Sequence, residues 1–447
     1  MKTQETLRKE IIEAVGKLYK LQQKNRKFSP GETSVPVSGK VFDDKELTLG
    51  VESILDGWWT EGRFTEEFEK KFAKFLQVRY VSLVNSGSSA NLVAFSALTS
   101  NTLGDKALHP GDEVITVATG FPTTVNPIIL KGCTPVFVDI DLGKRNAVVS
   151  QVKKAISKKT KAIVMAHTLG NPFNIRAILE LVKKNKLWLI EDCCDALGSL
   201  YEDKLVGTFG DIATFSFYPA HQITMGEGGA VITNNPFLHR AIRQFRDWGR
   251  DCWCDTGKDN TCGRRFGWKL GELPLGYDHK YTYSQIGYNV KLTDMQAAIG
   301  VAQLDKLPFF IKKRKENFSK LYSFFKKYTK YFVLPEWEKD ADPCWFGFMI
   351  VVKDTAPFAR LAMVNFLESK KIATRSLFAG NLLRHPAYLT LSHRKVSKLQ
   401  NSDRVMNNGF WIGVFPGLED SHINYITSII DEFISLNTRS KRNVKKK

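Results

Sequence analysis

His221 closes the segment Ser216-Phe217-Tyr218-Pro219-Ala220-His221, just before the loop Gly226-Glu227-Gly228-Gly229. An imidazole gives and takes protons near neutral pH, which suits it to general acid-base work. Asp192, at the end of the apolar run LWLIED, is a carboxylate that can keep a heterocyclic N–H protonated. The segment SGSSAN places Gly87, Ser88 and Ser89 at the start of a helix, where free backbone N–H groups and hydroxyls suit a phosphate. Phe121, in TGFPTT, offers a flat apolar face. Each has a plainer reading: a capped turn, a core ring, a helix N-cap, a structural histidine. Taken together, a phosphate seat, a stacking ring, a carboxylate and a proton carrier describe a site for a phosphorylated heterocycle.

A second set is made of thiols. Cys194 follows Asp192 by two residues, and Cys252, Cys254 and Cys262 form a Cys-x-Cys-x7-Cys pattern further on. Four thiolates brought to one point would hold zinc or an iron-sulfur cluster, and spacing alone does not choose between them. Cys193 points the other way if the strand geometry persists and is assigned to packing, as are Cys133 and Cys344.

The elements that must position these residues alternate regularly. The runs YVSLVN, EVITVA, TPVFVDI, AIVMAH, LWLIED, ATFSFY and GAVITN are separated by helical patterns such as ANLVAFSAL and NIRAILELVKKN. This predicts an α/β fold with a mainly parallel, seven-stranded sheet between helices. Ligands of such sheets gather at the carboxyl ends of the strands, where the candidate residues stand. The expected organisation is an N-terminal helical segment over 1–40, with an amphipathic helix from 3 to about 27. A large domain over 41–329 follows, carrying an irregular cysteine-bearing insertion at 249–283. A small α+β domain over 330–437 and a basic, disordered tail over 438–447 complete it.

The chain of 447 residues is too long for one compact unit and too apolar for intrinsic disorder. It has no apolar run long enough to cross a membrane and no signal-peptide core, which predicts a cytoplasmic protein. Seven cysteines, odd in number and clustered, argue against a disulfide framework. The net charge of +19 suits a polyanionic substrate or an acidic redox partner; no nucleic-acid reader motif accompanies it.

From GWWTEGRFTEEFEKKF through MQAAIGVAQLDKL and beyond, the chain resembles the sugar aminotransferases of the fold type I, pyridoxal-phosphate class. Their Ser-Phe-x-Pro-x-Lys motif carries the lysine that bonds the cofactor; here SFYPAH puts His221 in that place. An imidazole cannot form a Schiff base, so the lysine-mediated cycle is closed to this chain. The resemblance implies pyridoxamine 5'-phosphate held non-covalently, with Gly87, Ser88, Ser89 and Ser216 at its phosphate, Phe121 on its ring and Asp192 on the ring nitrogen. It implies that His221 moves the proton and that a hydroxyl beside the former ketone is expelled. Asp195 stands where relatives have a glutamine that contacts the ring hydroxyl. Asn289, in GYNVKLTD, matches a residue that reaches the phosphate of the neighbouring subunit, which implies a homodimer. Thr60, Glu61 and Gly62 match a substrate-touching region.

The cysteine pattern, with SFYPAHQITMGEGG, resembles the iron-sulfur 3-dehydrases of nucleotide-linked 4-keto-6-deoxyhexoses, the CDP-linked enzymes foremost and the dTDP-linked ones beside them. That resemblance implies a 2Fe-2S cluster on Cys194, Cys252, Cys254 and Cys262. It also implies an NADH-dependent flavin and iron-sulfur reductase as electron donor, and a place in making 3,6-dideoxyhexoses for lipopolysaccharide O-antigen. The rival readings are a sugar aminotransferase and a non-enzymatic binding protein with a zinc-braced loop.

Overall fold

The computed structural model describes residues 2–23 and 27–444, with side chains described as far as 438. The expected seven strands are Tyr80–Val84, Glu113–Val117, Thr134–Val138, Thr160–Ala166, Trp188–Asp192, Ile212–Ser216 and Gly229–Thr233. Across the sheet Tyr80–Val84 lies at one edge, followed by Gly229–Thr233, Ile212–Ser216, Trp188–Asp192, Thr160–Ala166, Glu113–Val117 and Thr134–Val138. Gly229–Thr233 runs antiparallel to both neighbours, and the other pairings are parallel. Glu113–Val117, Ile212–Ser216 and Gly229–Thr233 are buried at every residue, as strands covered on both faces must be.

An eighth strand of two residues, Arg394–Lys395, extends the sheet beside Thr134–Val138. It has no apolar pattern to announce it, because Arg394 is held there by Glu113, at 2.8 Å, instead of by burial. Leu382, Tyr388 and Leu399 pack with Val125 and Phe137 of the large domain, so this part of the expected small domain crosses onto the main sheet.

The small domain is built on an antiparallel sheet of Phe332–Val333, Gly347–Val352 and Gly409–Gly413. Its two faces serve two cores by simple alternation: Met349, Val351 and Trp411 join the large-domain core, while Phe348, Ile350 and Phe410 face the helices Arg360–Ser369 and Asp420–Val444. The last helix runs to Val444. Residues 438–444, expected as a disordered tail, therefore continue a helix, and 445–447 lie outside the described residues. The N-terminal helix spans Gln4–Gln23, and the segment after it reaches the small domain, where Val35 bridges to Ile372. Among the described residues, no helix is long and apolar enough to cross a membrane.

Candidate active site

The strand Trp188–Asp192 ends on Asp192, which is only 4% exposed. Its Oδ2 accepts hydrogen bonds from Asn91 Nδ2 at 2.9 Å and Thr124 Oγ1 at 2.7 Å, and its Oδ1 accepts from the Cys194 N–H at 3.1 Å. Asn91 is fixed in turn by Thr214 Oγ1, which donates to Asn91 Oδ1 at 2.6 Å. A buried carboxylate that keeps its charge needs such donors, and these come from three separate elements. Asn91, Thr124 and Thr214 were not singled out in the sequence, although Asn91 and Thr124 lie within the segments SGSSAN and TGFPTT.

The helix Gly87–Ala97 starts beside this carboxylate, with Ser86 as N-cap accepting from the Ser89 N–H at 3.0 Å. Glycine is required at 87, since a Cβ there would strike Ser216 and come within 3.1 Å of Cys194 Sγ. The first-turn amides, Ser216 and the Cys194 thiol thus line one narrow space. The free N–H groups of a helix start are a seat for an anion. Phe121 is 48% exposed at the N-cap of the helix Pro122–Leu130, edge-on to Phe378 at 6.1 Å, with its face open.

His221 is held through its backbone. Its N–H donates to Tyr218 O at 3.0 Å, and its carbonyl accepts from the buried Arg314 at 2.9 Å. Its Nδ1 lies 3.4 Å from Asp195 Oδ1, and Nδ1 and Asp195 Oδ2 are both buried with no hydrogen-bond partner. Phe346 leans against the imidazole at 5.3 Å. The Asp195 carboxylate therefore faces the histidine. Gln222 fixes the Asp195 carbonyl.

These residues fit a pyridoxal- or pyridoxamine-phosphate group: an anion seat, a face for the ring and a charged carboxylate for its nitrogen. A family model describing the DegT/DnrJ/EryC1/StrS aminotransferases matches residues 42–431. The chain belongs to that family. The lipopolysaccharide biosynthesis protein RfbH of Salmonella typhimurium is 54% identical over 97% of this chain and all of its own length. The dTDP-4-dehydro-2,6-dideoxy-D-glucose 3-dehydratase of Saccharopolyspora spinosa is 49% identical over 93% of this chain and 90% of its own. The E. coli GDP-4-keto-6-deoxy-D-mannose-3-dehydratase with bound hydrated PLP superposes with a TM-score of 0.79 at 28% identity, covering 88% of this chain and 98% of that one. This member of the DegT/DnrJ/EryC1/StrS family is accordingly an enzyme with the fold type I architecture and the cofactor class of its relatives.

The thiols divide into two groups. Cys252, Cys254 and Cys262 sit together in the insertion: burial pushes the Cys252 thiol up, and both other thiols bear on it. For Cys254, burial pushes the thiol up, and hydrogen bonds with Thr261, Cys252 and Cys262 together draw it down below its usual value. Cys194 lies instead in the cofactor cleft, where burial, with Asp192 and Asp195 beside it, holds its thiol well above the usual range. The expected four-thiol set is not gathered at one point, for among the described residues only His167, Glu191 and Cys193 bring three ligand-type atoms within 4.8 Å.

That trio is a brace. Glu191 accepts from His167 Nε2, Gly207 N, Phe209 N and Gly210 N, and the other His167 nitrogen accepts from Phe173 N. No lone pair is spared for a metal, and Cys193 is a packing residue as expected. Cys133 and Cys344 are likewise buried.

The insertion is tied to the body through charges. Asp251 accepts from His279, Arg240, Gln244 and Ser284. Glu61, expected near substrate, is committed to Arg246 and to Thr256 of the insertion, at 2.8 Å from the latter. The Gly62 N–H is taken by Asp294 at 2.9 Å. Asn289 is exposed, with its Oδ1 accepting from Lys291.

Proposed function

We propose that the enzyme dehydrates C-3 of a nucleotide-linked 4-keto-6-deoxyhexose, CDP-linked by our reading, on the way to 3,6-dideoxyhexoses of lipopolysaccharide. The observation that carries this is His221: a proton carrier unable to bond the cofactor stands in an otherwise complete cradle, 3.4 Å from a buried carboxylate. The names of the relatives support the substrate class, since two are 3-dehydratases of nucleotide-linked keto-deoxyhexoses.

Bound pyridoxamine phosphate supplies an amine for the sugar ketone and a ring that withdraws electrons. The chain does the rest. The amides of Gly87 and Ser88, with the hydroxyls of Ser88, Ser89 and Ser216, take the phosphate. Asp192, fixed in place by Asn91 and Thr124, pairs with the protonated ring nitrogen. Phe121 covers a ring face. His221 moves the proton whose removal lets the C-3 hydroxyl depart. Asp195, whose Oδ1 lies 3.4 Å from Nδ1, stands where it can orient the imidazole.

We further propose a 2Fe-2S cluster on Cys194, Cys252, Cys254 and Cys262, fed by an NADH-dependent flavin and iron-sulfur reductase. Removing the C-3 oxygen altogether requires two electrons, and a one-electron centre beside the cleft delivers them. Four thiolates are the ligand set of either zinc or a two-iron cluster, and the need for electrons one at a time favours the cluster. We place the enzyme in the cytoplasm as a homodimer, with the exposed Asn289 directed to the partner subunit's phosphate site.

The test is a product analysis. Protein loaded with pyridoxamine phosphate, iron and sulfide is given CDP- and dTDP-linked 4-keto-6-deoxyglucose with dithionite as donor. Mass spectrometry should find a sugar lighter by one oxygen atom, formed faster from the CDP sugar. An unchanged sugar, or an amino sugar formed with glutamate, would overturn the reading.

A further inference from the structure

One side of the helix Gln4–Gln23 packs on the helix Asp44–Leu55, and another side is left bare. On the covered side, Arg8 donates to Leu55 O at 3.0 Å and pairs with Asp56 at 2.7 Å, Tyr19 Oη donates to Phe42 O at 2.7 Å, and Gly16 lies close to Asp44. These contacts fix how the helix is rotated. About a third of a turn away the helix presents Leu7, Ile11, Leu18 and Leu21, exposed by 47%, 43%, 56% and 61%, with the exposed Ala14 between them. Their spacing of four, three, four and three is that of the a and d positions of a heptad, a seam that packs against another helix. The helix precedes residues 42–431, the part that the family model matches.

We propose that this seam packs antiparallel against the same seam of a second copy of the chain. Charge selects both the partner and the register. Glu10 and Lys17 each stand one residue before an a position, Ile11 and Leu18, on one flank of the seam. Across an antiparallel pair these flanks face each other. Layers joining Leu7 to Leu18 and Ile11 to Ala14 then bring Glu10 against Lys17 twice by symmetry.

The competing arrangements lose these pairs. A shift of one heptad sets Glu10 against Glu10 or Lys17 against Lys17, and a parallel pair gives Glu10 only Val15 and Lys17 only Gln22. Antiparallel helix dipoles favour the same choice. Glu10 has a surface pair with Lys2 at 2.6 Å, a contact of small worth that is readily exchanged. Among the described residues no ion pair engages Lys17. A membrane surface would want a clear excess of cations, whereas Arg8, Lys9, Lys17 and Lys20 are nearly balanced by Glu5, Glu10 and Glu13.

Cross-linking tests the geometry, independently of any activity. The double variant Leu7→Cys with Leu18→Cys, mildly oxidised at native concentration, should run mostly as a covalent dimer on a non-reducing gel. Each single variant and the wild type should not, because identical positions lie far apart in an antiparallel pair. Adding Ile11→Glu to the double variant should abolish the product while circular dichroism stays unchanged. No covalent dimer from the folded double variant would overturn the proposal. So would equal cross-linking of a single variant, the mark of a parallel pair. Sedimentation with phosphatidylglycerol vesicles that Leu18→Glu prevents would assign the seam to a membrane and equally overturn it.

Discussion

In the cofactor cleft the carboxylate of Asp192 is held by neutral donors, an amide, a hydroxyl and a backbone N–H, each anchored on a strand end or helix. In the insertion 249–283 the fixed points are charged: Asp251 gathers His279 and Arg240, Arg265 holds Asp278 at 2.6 Å, and Arg246 ties Glu61 to the base of the loop. The only regular element there is the short turn His279–Tyr281. Neutral bonds between regular elements keep their geometry over a wide range of salt and pH. Ion pairs around a loop do not. The first region is suited to aligning a proton transfer, and the second to holding thiols whose final arrangement is set by what they bind.

The largest effect expected from breaking this contrast lies in the cleft. His221→Asn should retain the fold and the bound cofactor while C-3 oxygen loss falls about 10^2 to 10^4-fold, the usual worth of a positioned acid-base group; rate measurements with the nucleotide sugar check it. In the insertion, Cys252→Ser should leave dehydration intact and bring reductive turnover to background, read by adding the electron donor after the sugar. Thr124→Val removes one donor from a buried charge, so cofactor retention on dialysis should weaken by roughly 10 to 100-fold, as for a hydrogen bond to an ionised group.

The smallest effect concerns the seam between the regions. Glu69, beside Arg246, is pushed up to about 7 by loss of solvation, against the pull of that arginine. The folded state then holds a proton that the unfolded chain has released, so stability should fall as pH rises from about 4.5 to about 7 and level off above. Glu69→Gln should flatten that stretch of the urea-midpoint profile. An unchanged slope would mean that Glu69 is ionised in the folded protein throughout.

Periodicity made the sheet legible, because alternating β-branched runs must lie between helices, and the strand ends then pointed to Asp192 and His221. What escaped had no pattern to show. Asn91, Thr124 and Thr214 look like any polar residue on a helix or strand until folding brings them to Asp192. The ties of Glu61 to Arg246 and Thr256 also went unread, because they join residues far apart in the chain. The strand Arg394–Lys395 is charged at both residues and is placed by Glu113. The helical continuation over 438–444 hides in a composition that, read alone, describes a solvated tail.

The proposed reaction needs two regions to work as one site, the cleft to expel a hydroxyl and the insertion to deliver electrons. The visible spectrum of anaerobically purified protein, taken before and after dithionite, tests this most directly. A broad absorption that bleaches on reduction, and is missing from Cys254→Ser, is the result predicted. A colourless wild-type protein, still colourless after reconstitution with iron and sulfide, would contradict it.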